Sequence, residues 1–281
     1  MRSIKRLLQE WIYPLDSIAT IRRGPLKGCR YVVTEQSGWA PILGRCEPEA
    51  QALYARLVAA GETAWDLGAN TGIHTLLLSR LVGPAGRVVA FEPLEVNAAE
   101  IAQTCALNGV GNVSIARTAI SDVPGRAAFM TGRHAKQGSI VGIGSGSGEV
   151  VEVECETMDD ALRSHPEPAF VKVDIEGAES RALRGFSQAA RIRPSLAIDL
   201  HTPSEDVAVG RWLAEQGYRV YRLLDPTARQ GKSNGNGLVT PVRRMDEGWP
   251  SPTGIWGTVV AVHPNRTEKL RILEALCEAA R

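Results

Sequence analysis

The residues of this chain that could do chemistry are acids and a histidine that follow apolar runs. Asp66 and Glu92 close two such runs, and Asp174, Asp199 and His201 close two later ones. Carboxylates placed in this way can accept hydrogen bonds from ligand hydroxyls. A carboxylate beside a histidine can also move a proton or ligate a metal ion. The pattern therefore predicts a ligand site with proton-transfer or metal chemistry next to it.

The first run leads into the stretch Trp65-Asp66-Leu67-Gly68-Ala69-Asn70-Thr71-Gly72, which predicts a strand, a tight turn and a helix start. In nucleotide sites of this kind, backbone N–H groups approach the ligand at the glycines, and an acid about 20 residues further on accepts ribose hydroxyls. Glu92 has that spacing from Gly72. A turn that binds nothing is the alternative.

The dinucleotide pattern G-x-G-x-x-G can be tested on this turn. Starting at Gly68, it would need glycines where the chain has Asn70 and Ile73. Asn adopts the left-handed conformation at little cost, so Asn70 can replace a turn glycine. A ligand with a ribose but no phosphate fits this turn better than a nicotinamide dinucleotide does, and S-adenosylmethionine (SAM) is the common ligand of that type.

Lys172 and Asp174 alternate onto one face of the apolar run 170–175. A central parallel strand is normally apolar on both faces, and burying either charge alone would cost several kcal/mol. The two side chains therefore either form a pair that reaches a neighbouring strand or line a site. Asp174 is the stronger functional candidate, because it lies at the carboxyl end of the strand, where open α/β sheets bind ligands.

Asp199 and His201 repeat this arrangement one strand later, and strand alternation predicts that they share a face. The sequence Thr202-Pro203-Ser204-Glu205 then predicts a helix start, with Thr202 as N-cap and Glu205 completing a capping box. A rigid cap directly after His201 would fix the position of that side chain.

Composition restricts the classes of partner. The chain has 281 residues, is 44% hydrophobic and carries a net charge of +1, which favours neither nucleic acid nor an anionic membrane. Its five cysteines form neither a disulfide framework nor a zinc motif, and no segment predicts a signal peptide or stable membrane insertion. A cytoplasmic protein is the expectation.

The alternation of strand and helix patterns from residue 63 onward predicts a parallel sheet with right-handed crossovers. We expect an N-terminal helical and β extension over residues 1–61 and the main α/β domain over residues 62–281. Apolar residues at helical spacing over residues 4–15 predict an amphipathic helix. That helix is interpreted as a strut or lid and, as the alternative, as a homodimer contact.

Two segments interrupt the alternation. Residues 127–130 and 150–154 predict a short β-ribbon around a long loop, in which His134 and Lys136 are candidate substrate contacts. The Gly-, Asn- and Pro-rich excursion 225–254 either covers the site or is a surface loop.

Taken together, these parts resemble the FkbM family of SAM-dependent methyltransferases. The resemblance covers roughly residues 24–223. It rests on Asp66-Leu67-Gly68-Ala69-Asn70-Thr71-Gly72, Phe91-Glu92-Pro93 with Asn97, Ala119-Ile120-Ser121-Asp122, and Val171-Lys172-Val173-Asp174-Ile175-Glu176-Gly177-Ala178-Glu179 with Gly185. It implies a Rossmann-like, doubly wound, mostly parallel seven-stranded sheet of order 3-2-1-4-5-7-6.

The resemblance also implies residue roles. The turn Asp66 to Gly72 would hold the methionine end of SAM, Glu92 the ribose, and Ala119 to Ser121 the adenine. The predicted cofactor-binding residues are Asp66, Gly68, Ala69, Asn70, Thr71, Gly72, Glu92, Pro93, Ala119, Ser121 and Asp174.

For the reaction, we expect O-methylation of a hydroxyl on a small molecule, a sugar or a natural product. In this hypothesis His201 is the general base and Asp174 orients it or the acceptor, while Lys172 and Asp199 complete the catalytic set. In a variant, Asp174, Asp199 and His201 hold a divalent metal that lowers the pKa of the hydroxyl. The alternatives are an NAD(P)-dependent oxidoreductase and a non-catalytic interaction protein with the SAM fold.

Overall fold

The computed structural model describes residues 12–34, 38–131, 138–140, 149–223, 242–244 and 257–279. Most of the expected N-terminal helix lies outside these residues. His134, Lys136 and the excursion 225–254, apart from its residues 242–244, also lie outside them.

The described part of the chain contains strands and helices in close alternation. The strands are β1 (Ile18–Thr20), β2 (Arg30–Val32), β3 (Thr63–Leu67), β4 (Arg87–Phe91), β5 (Val113–Ala116), β6 (Ala119–Ile120), β7 (Gly125–Thr131), β8 (Gly138–Ile140), β9 (Val150–Glu156), β10 (Phe170–Val173), β11 (Ser195–Leu200), β12 (Arg219–Leu223), β13 (Val242–Arg244) and β14 (Gly257–Val262). The helices are α1 (Pro48–Leu57), α2 (Ile73–Val82), α3 (Glu95–Leu107), α4 (Met158–Ala161), α5 (Glu179–Arg184), α6 (Ala189–Ile192), α7 (Pro203–Glu215) and α8 (Thr267–Ala279).

The central sheet has the order β5-β4-β3-β10-β11-β14-β12-β13. The first five strands run parallel, whereas β14 is antiparallel to both β11 and β12. The expected order 3-2-1-4-5-7-6 is confirmed for seven of these strands. The short strand β13 pairs with β12 and adds an eighth strand at that edge. Because β14 runs antiparallel to its neighbours, the sheet is mixed.

Both faces of the sheet are covered, as the doubly wound prediction requires. Alternate residues of a strand enter different apolar clusters: Ala64 and Phe170 contribute to one cluster, and Trp65 and Val171 to the other. Helices α1, α2 and α8 supply the first cluster, and α4 to α7 supply the second. The parallel strands are therefore apolar on both faces, and the charged residues among them are exceptions that need partners.

The described part of the N-terminal extension packs on this core. The hairpin of β1 and β2 and the loop between them bury Ile21, Leu26 and Tyr31 in the same cluster as α1 and α2. The hydroxyl of Tyr31 lies 2.9 Å from the carbonyl oxygen of Thr71 and 2.8 Å from its hydroxyl. The extension thus contacts the back of the turn that follows β3.

A second sheet of order β6-β9-β7-β8 lies beside the main one. The antiparallel pair β7 and β9 is the predicted ribbon, with Ala127 opposite Val153, and this prediction is confirmed. Because β6 pairs with β9, the ribbon is tied to Ala119 and Ile120. Within the described residues, no helix combines the length and apolarity that crossing a bilayer requires.

Candidate active site

Three residues of the turn after β3 adopt the left-handed backbone conformation. Gly68, Asn70 and Gly72 have φ angles of 77°, 50° and 83°, so the prediction that Asn70 serves as a turn residue is confirmed. A Cβ atom on Gly68 would lie 2.0 Å from the carbonyl oxygen of Asp174. Gly68 therefore allows the chain after β3 to pass directly over the carboxyl end of β10.

A cleft opens in front of this turn. It holds roughly 630 Å³ of empty space, part of which is open to solvent. It is lined by Gly68, Asn70, Phe91, Glu92, Pro93, Leu94, Asn97, Thr118, Ala119, Ile120, Phe129, Ile140, Asp174, Ile175, Glu176 and Ala178. The cleft therefore extends from the end of β4, past the second sheet, to the end of β10.

Glu92 lies at one end of the cleft and is only 4% exposed. One carboxylate oxygen accepts a hydrogen bond of 2.8 Å from the N–H of Asn70. The other accepts bonds of 3.0 Å from the N–H of Leu94 and 3.2 Å from the side-chain amide of Asn97. Burial nevertheless raises the pKa of Glu92 to about 7, since these uncharged donors offset only part of its desolvation.

The predicted cofactor residues fall into two groups. Gly68, Asn70, Glu92, Pro93, Ala119 and Asp174 line the cleft, whereas Asp66, Ala69, Thr71, Gly72 and Ser121 do not. Asp66, for example, is fully buried, and its carboxylate accepts a 2.7 Å bond from the hydroxyl of Thr75. Phe129 and Ile140 of the second sheet also line the cleft, and no sequence pattern had indicated either residue.

Lys172 lies beneath the site and is 1% exposed. Its Nζ is 3.1 Å from Oδ2 of Asp174 and 3.4 Å from Oδ1 of Asp66, which is its partner in the register of β10 and β3. Burial alone would lower the pKa of Lys172, but Asp174 and Asp66 outweigh it and hold that pKa well above its usual range. Of the two alternatives given for Lys172 and Asp174, the charge pair that reaches a neighbouring strand is observed, through the contact of Lys172 with Asp66.

His201 stands among three carboxylates at the other end of the cleft. Its Nε2 lies 3.6 Å from Oδ1 of Asp174 and 3.5 Å from Oε2 of Glu176. Its Nδ1 lies 2.8 Å from Oε1 of Glu179, an oxygen that also accepts a 3.0 Å bond from the N–H of Gly177. Glu176 and Glu179 belong to the motif that runs from Val171 to Glu179, but the motif alone does not predict a role for either residue.

The charges of this group act on one another. Burial would lower the pKa of His201, but Glu179, Asp174 and Glu176 raise it to about 9. Burial would raise the pKa of Asp174, but Lys172 and His201 bring it below its ordinary value. His201 is therefore protonated near neutral pH in the free protein, which does not suit a general base working there.

Asp199 was predicted to share a face with His201, but among the described residues its hydrogen-bond partner is Thr258. Its carboxylate accepts a hydrogen bond from the hydroxyl of Thr258, its register partner on β14. Burial, together with Asp174 and Glu47, raises the pKa of Asp199 to about 7. Strand β11 ends at Leu200, so the alternation that would align Asp199 with His201 stops before His201.

Among the described residues, the side chains close enough to share one metal ion are Asp174, Glu176 and His201, with ligand atoms within 4.8 Å of one another. The predicted metal set of Asp174, Asp199 and His201 therefore differs from the observed group by one residue: Glu176 occupies the place that Asp199 was expected to fill.

The helix that follows His201 begins as predicted, with one difference. The N–H of Glu205 donates a 3.2 Å bond to the hydroxyl of Thr202, which confirms Thr202 as N-cap. The carboxylate of Glu205 was expected to complete a capping box. It instead accepts bonds from the N–H and hydroxyl of Ser180, at 2.6 and 2.8 Å, and so joins α7 to α5. These hydrogen bonds hold the start of α5, where Glu179 lies, and support the preceding turn, where Glu176 lies.

A comparison with protein-family models gives one match. The model described as the methyltransferase FkbM domain matches residues 66–220, from the carboxyl end of β3 to β12. The matched segment includes every residue of the cleft and of the carboxylate–histidine group.

Solved structures of methyltransferases are similar in fold. A putative rRNA methylase from Clostridium thermocellum is 13% identical (TM-score 0.45; 76% of this chain and 93% of that chain covered). A SAM-dependent O-methyltransferase from Thermotoga maritima is 15% identical (TM-score 0.43; 78% and 66% covered). At such identities the likeness concerns the fold alone. No curated protein matches the chain significantly.

Proposed function

Because the chain belongs to the FkbM methyltransferase family, we propose that it transfers the methyl group of SAM to a hydroxyl oxygen of a small molecule, a sugar or a natural product. Family membership identifies a SAM-dependent methyltransferase and decides against the nicotinamide oxidoreductase. The hydroxyl acceptor is the proposed part. A cytoplasmic location and a homodimer contact through the N-terminal helix stay predictions.

The observation that carries the proposal is the cleft with a different carboxylate environment at each end. Glu92 lies at one end, and Asp174 and Glu176 lie at the other. In this proposal Glu92 accepts hydrogen bonds from the ribose hydroxyls, and Ala119 and the ribbon border the adenine. The methionine end of SAM then lies along Gly68, with its methyl group directed toward Asp174.

The acceptor hydroxyl would lie against Asp174 and Glu176. Methyl transfer is an in-line displacement, so the protein contributes mainly by aligning oxygen, methyl carbon and sulfur. The oxygen forms the new bond to the methyl carbon, the carbon–sulfur bond breaks, and its electron pair stays on sulfur. The hydroxyl proton must be lost in the same process, to a carboxylate at this end of the cleft or to solvent water.

The charge around the acceptor end supports a hydroxyl over a nucleic acid. Asp174, Glu176 and Glu179 are acidic, and the whole chain has a net charge of only +1. A phosphate backbone would be repelled by these carboxylates, whereas neutral hydroxyls can donate hydrogen bonds to them.

The proposal is tested with purified protein, isotope-labelled SAM, and an extract or panel of sugars, polyketide alcohols and other hydroxylated compounds. We expect mass spectrometry to find a labelled product and carbon NMR to place the label in a methoxy group. The Glu92→Gln variant, assayed at low SAM, should form markedly less of this product.

A product methylated on nitrogen or carbon would contradict the hydroxyl acceptor. Calorimetry distinguishes the remaining alternative, because a chain that binds SAM but labels nothing in the panel or the extract would be a non-catalytic binding protein.

A further inference from the structure

The three side chains at the acceptor end have the spacing of ligands around a single ion. The Nε2 of His201 lies 3.6 Å from an oxygen of Asp174 and 3.5 Å from an oxygen of Glu176. Ligand atoms that each lie about 2.1 Å from one divalent ion are separated by roughly 3–3.5 Å. From this geometry we propose that Asp174, Glu176 and His201 bind a divalent cation.

A second feature supports this assignment independently of the cluster itself. The fully buried carboxylate of Glu179 lies 2.8 Å from Nδ1 of His201 and is held in place by the N–H of Gly177. Histidines that ligate metals usually donate their other ring N–H to a carboxylate in this way, which directs the free nitrogen toward the ion. Glu179 thus fixes the ring so that Nε2 is presented to Asp174 and Glu176.

The balance of charge also calls for a cation. Lys172 is shared between Asp174 and Asp66, and within the described residues His201 is the cation that forms ion pairs with Glu176 and Glu179. The second oxygen of Glu179, Oε2, is buried and has no hydrogen-bond partner in the described part of the chain. Buried carboxylates without enough positive partners are costly, and a bound divalent ion would offset that cost.

The ligand types restrict the ion. Two carboxylates and one imidazole suit Mn²⁺ or Mg²⁺ more than a soft, thiolate-preferring ion. Three protein ligands leave other coordination positions open, and Asp174 and Glu176 already line the cleft. The ion would therefore be accessible to a molecule bound beside SAM.

The role of the ion rests on the proposed function. An acceptor hydroxyl that coordinates the ion has a lowered pKa, so its O–H proton passes to solvent water. The oxygen then uses its electron pair to form the bond to the methyl carbon, and the carbon–sulfur bond breaks toward sulfur. His201 acts here as a ligand through Nε2, so that its lone pair binds the ion instead of accepting the hydroxyl proton.

The test is Mn²⁺ binding to the full chain after chelator treatment and removal of the chelator. Electron paramagnetic resonance measures free aqueous Mn²⁺ during a titration, and we expect the wild-type protein to show one saturable site. Glu176→Gln and Asp174→Asn should weaken this site at least roughly tenfold, and Glu179→Gln by about 10- to 100-fold, as for other residues that support metal ligands.

Glu167→Gln is the matched control, because Glu167 precedes β10, at the opposite end of that strand from Asp174, and pairs with Arg191. It should keep the wild-type affinity for Mn²⁺. Circular dichroism of each variant verifies that it is folded, and Glu176, which is partly exposed, is the substitution least expected to disturb folding.

Two outcomes overturn the cation site: a wild-type protein without saturable Mn²⁺ binding, or equal losses in Glu176→Gln and Glu167→Gln. A chelator-treated protein that still methylates hydroxyls at full rate would likewise overturn the role of the ion while leaving the proposed function intact. Saturable Mn²⁺ binding that depends on Glu176, without any methylated hydroxyl product, would uphold the site and reject the proposed function.

Discussion

The two ends of the cleft stabilise buried carboxylates in opposite ways. At Glu92, three uncharged donors surround the carboxylate, and burial still raises its pKa to about 7. At Asp174, the charges of Lys172 and His201 bring the pKa below its ordinary value in spite of burial. Uncharged hydrogen bonds thus offset less of the desolvation of a carboxylate than a nearby full charge does.

The difference matches what each end would bind. Glu92 is held by fixed backbone and amide groups and is suited to neutral hydroxyls, which need a positioned acceptor. The Asp174 end carries carboxylates close to one another and is suited to a positive partner. The following four experiments test this contrast, from the largest expected effect to the smallest.

The strongest test removes the charge that sustains the Asp174 end. Lys172→Met leaves Asp66 and Asp174 buried without their ammonium partner, and we expect the free energy of unfolding to fall by about 3–5 kcal/mol. Urea unfolding measures this loss. Lys269→Met is the control, because Lys269 pairs with Glu62 nearer the surface and should cost less. Equal losses in the two variants would mean that Lys172 has no special importance.

At the other end, Glu92→Gln replaces the carboxylate that we propose accepts from two ribose hydroxyls by an amide with one acceptor oxygen. Losing one or two charge-assisted hydrogen bonds should weaken SAM binding roughly 10- to 100-fold by calorimetry. Glu95→Gln, on the exposed first turn of α3, should bind SAM as the wild type does. Unchanged affinity in Glu92→Gln would place the ribose elsewhere.

The raised pKa of Glu92 predicts a pH dependence that a carboxylate with an ordinary pKa would not give. Only the ionised form accepts from both ribose hydroxyls, so SAM affinity should fall ~tenfold from pH 8 to pH 6, through the pKa of about 7. Folding has the opposite sign: the Glu92 contribution to stability is present below its ordinary pKa and is lost as pH rises through 7. Glu92→Gln should remove the pH dependence of binding, and a dependence that persists in this variant would have to come from another group.

The smallest expected effect comes from removing the contact between Tyr31 and the turn after β3. Tyr31→Phe removes the hydroxyl that contacts Thr71, and we expect a loss of about 1 kcal/mol in stability and a few-fold loss of SAM affinity. Tyr54→Phe is a matched control, because the Tyr54 hydroxyl is buried without a hydrogen-bond partner among the described residues. That control should be neutral or slightly stabilising, and the reverse order of the two variants would contradict the structure.

The sequence predicted most of the fold because alternating apolar runs and turns have strong local causes. The ribbon and the left-handed Asn70 are confirmed, and so is the strand order, which the resemblance to the FkbM family implied. The pairing of Lys172 with Asp66 was also predictable, because a buried lysine in a central strand requires a partner on an adjacent strand.

The acceptor end was less predictable, since it depends on contacts between turns. Strand alternation cannot describe His201, which lies just beyond the end of β11, or Glu176, which lies in the turn after β10. Nor does spacing reveal that Glu179 reaches His201 across two elements. The carboxylate of Glu205 was assigned to its own helix for the same reason: a local capping rule cannot detect that Ser180 competes for it.

The contact between Tyr31 and Thr71 also has a consequence for how the chain folds. These residues are 40 positions apart, so the turn beside the cleft acquires this support only after a long loop has closed. A chain shortened to begin at residue 62 would keep every residue of the family match yet lack this brace and the apolar side chains of the hairpin. In such a truncated protein we expect the turn after β3 to be more mobile. After refolding, SAM binding should recover more slowly and incompletely.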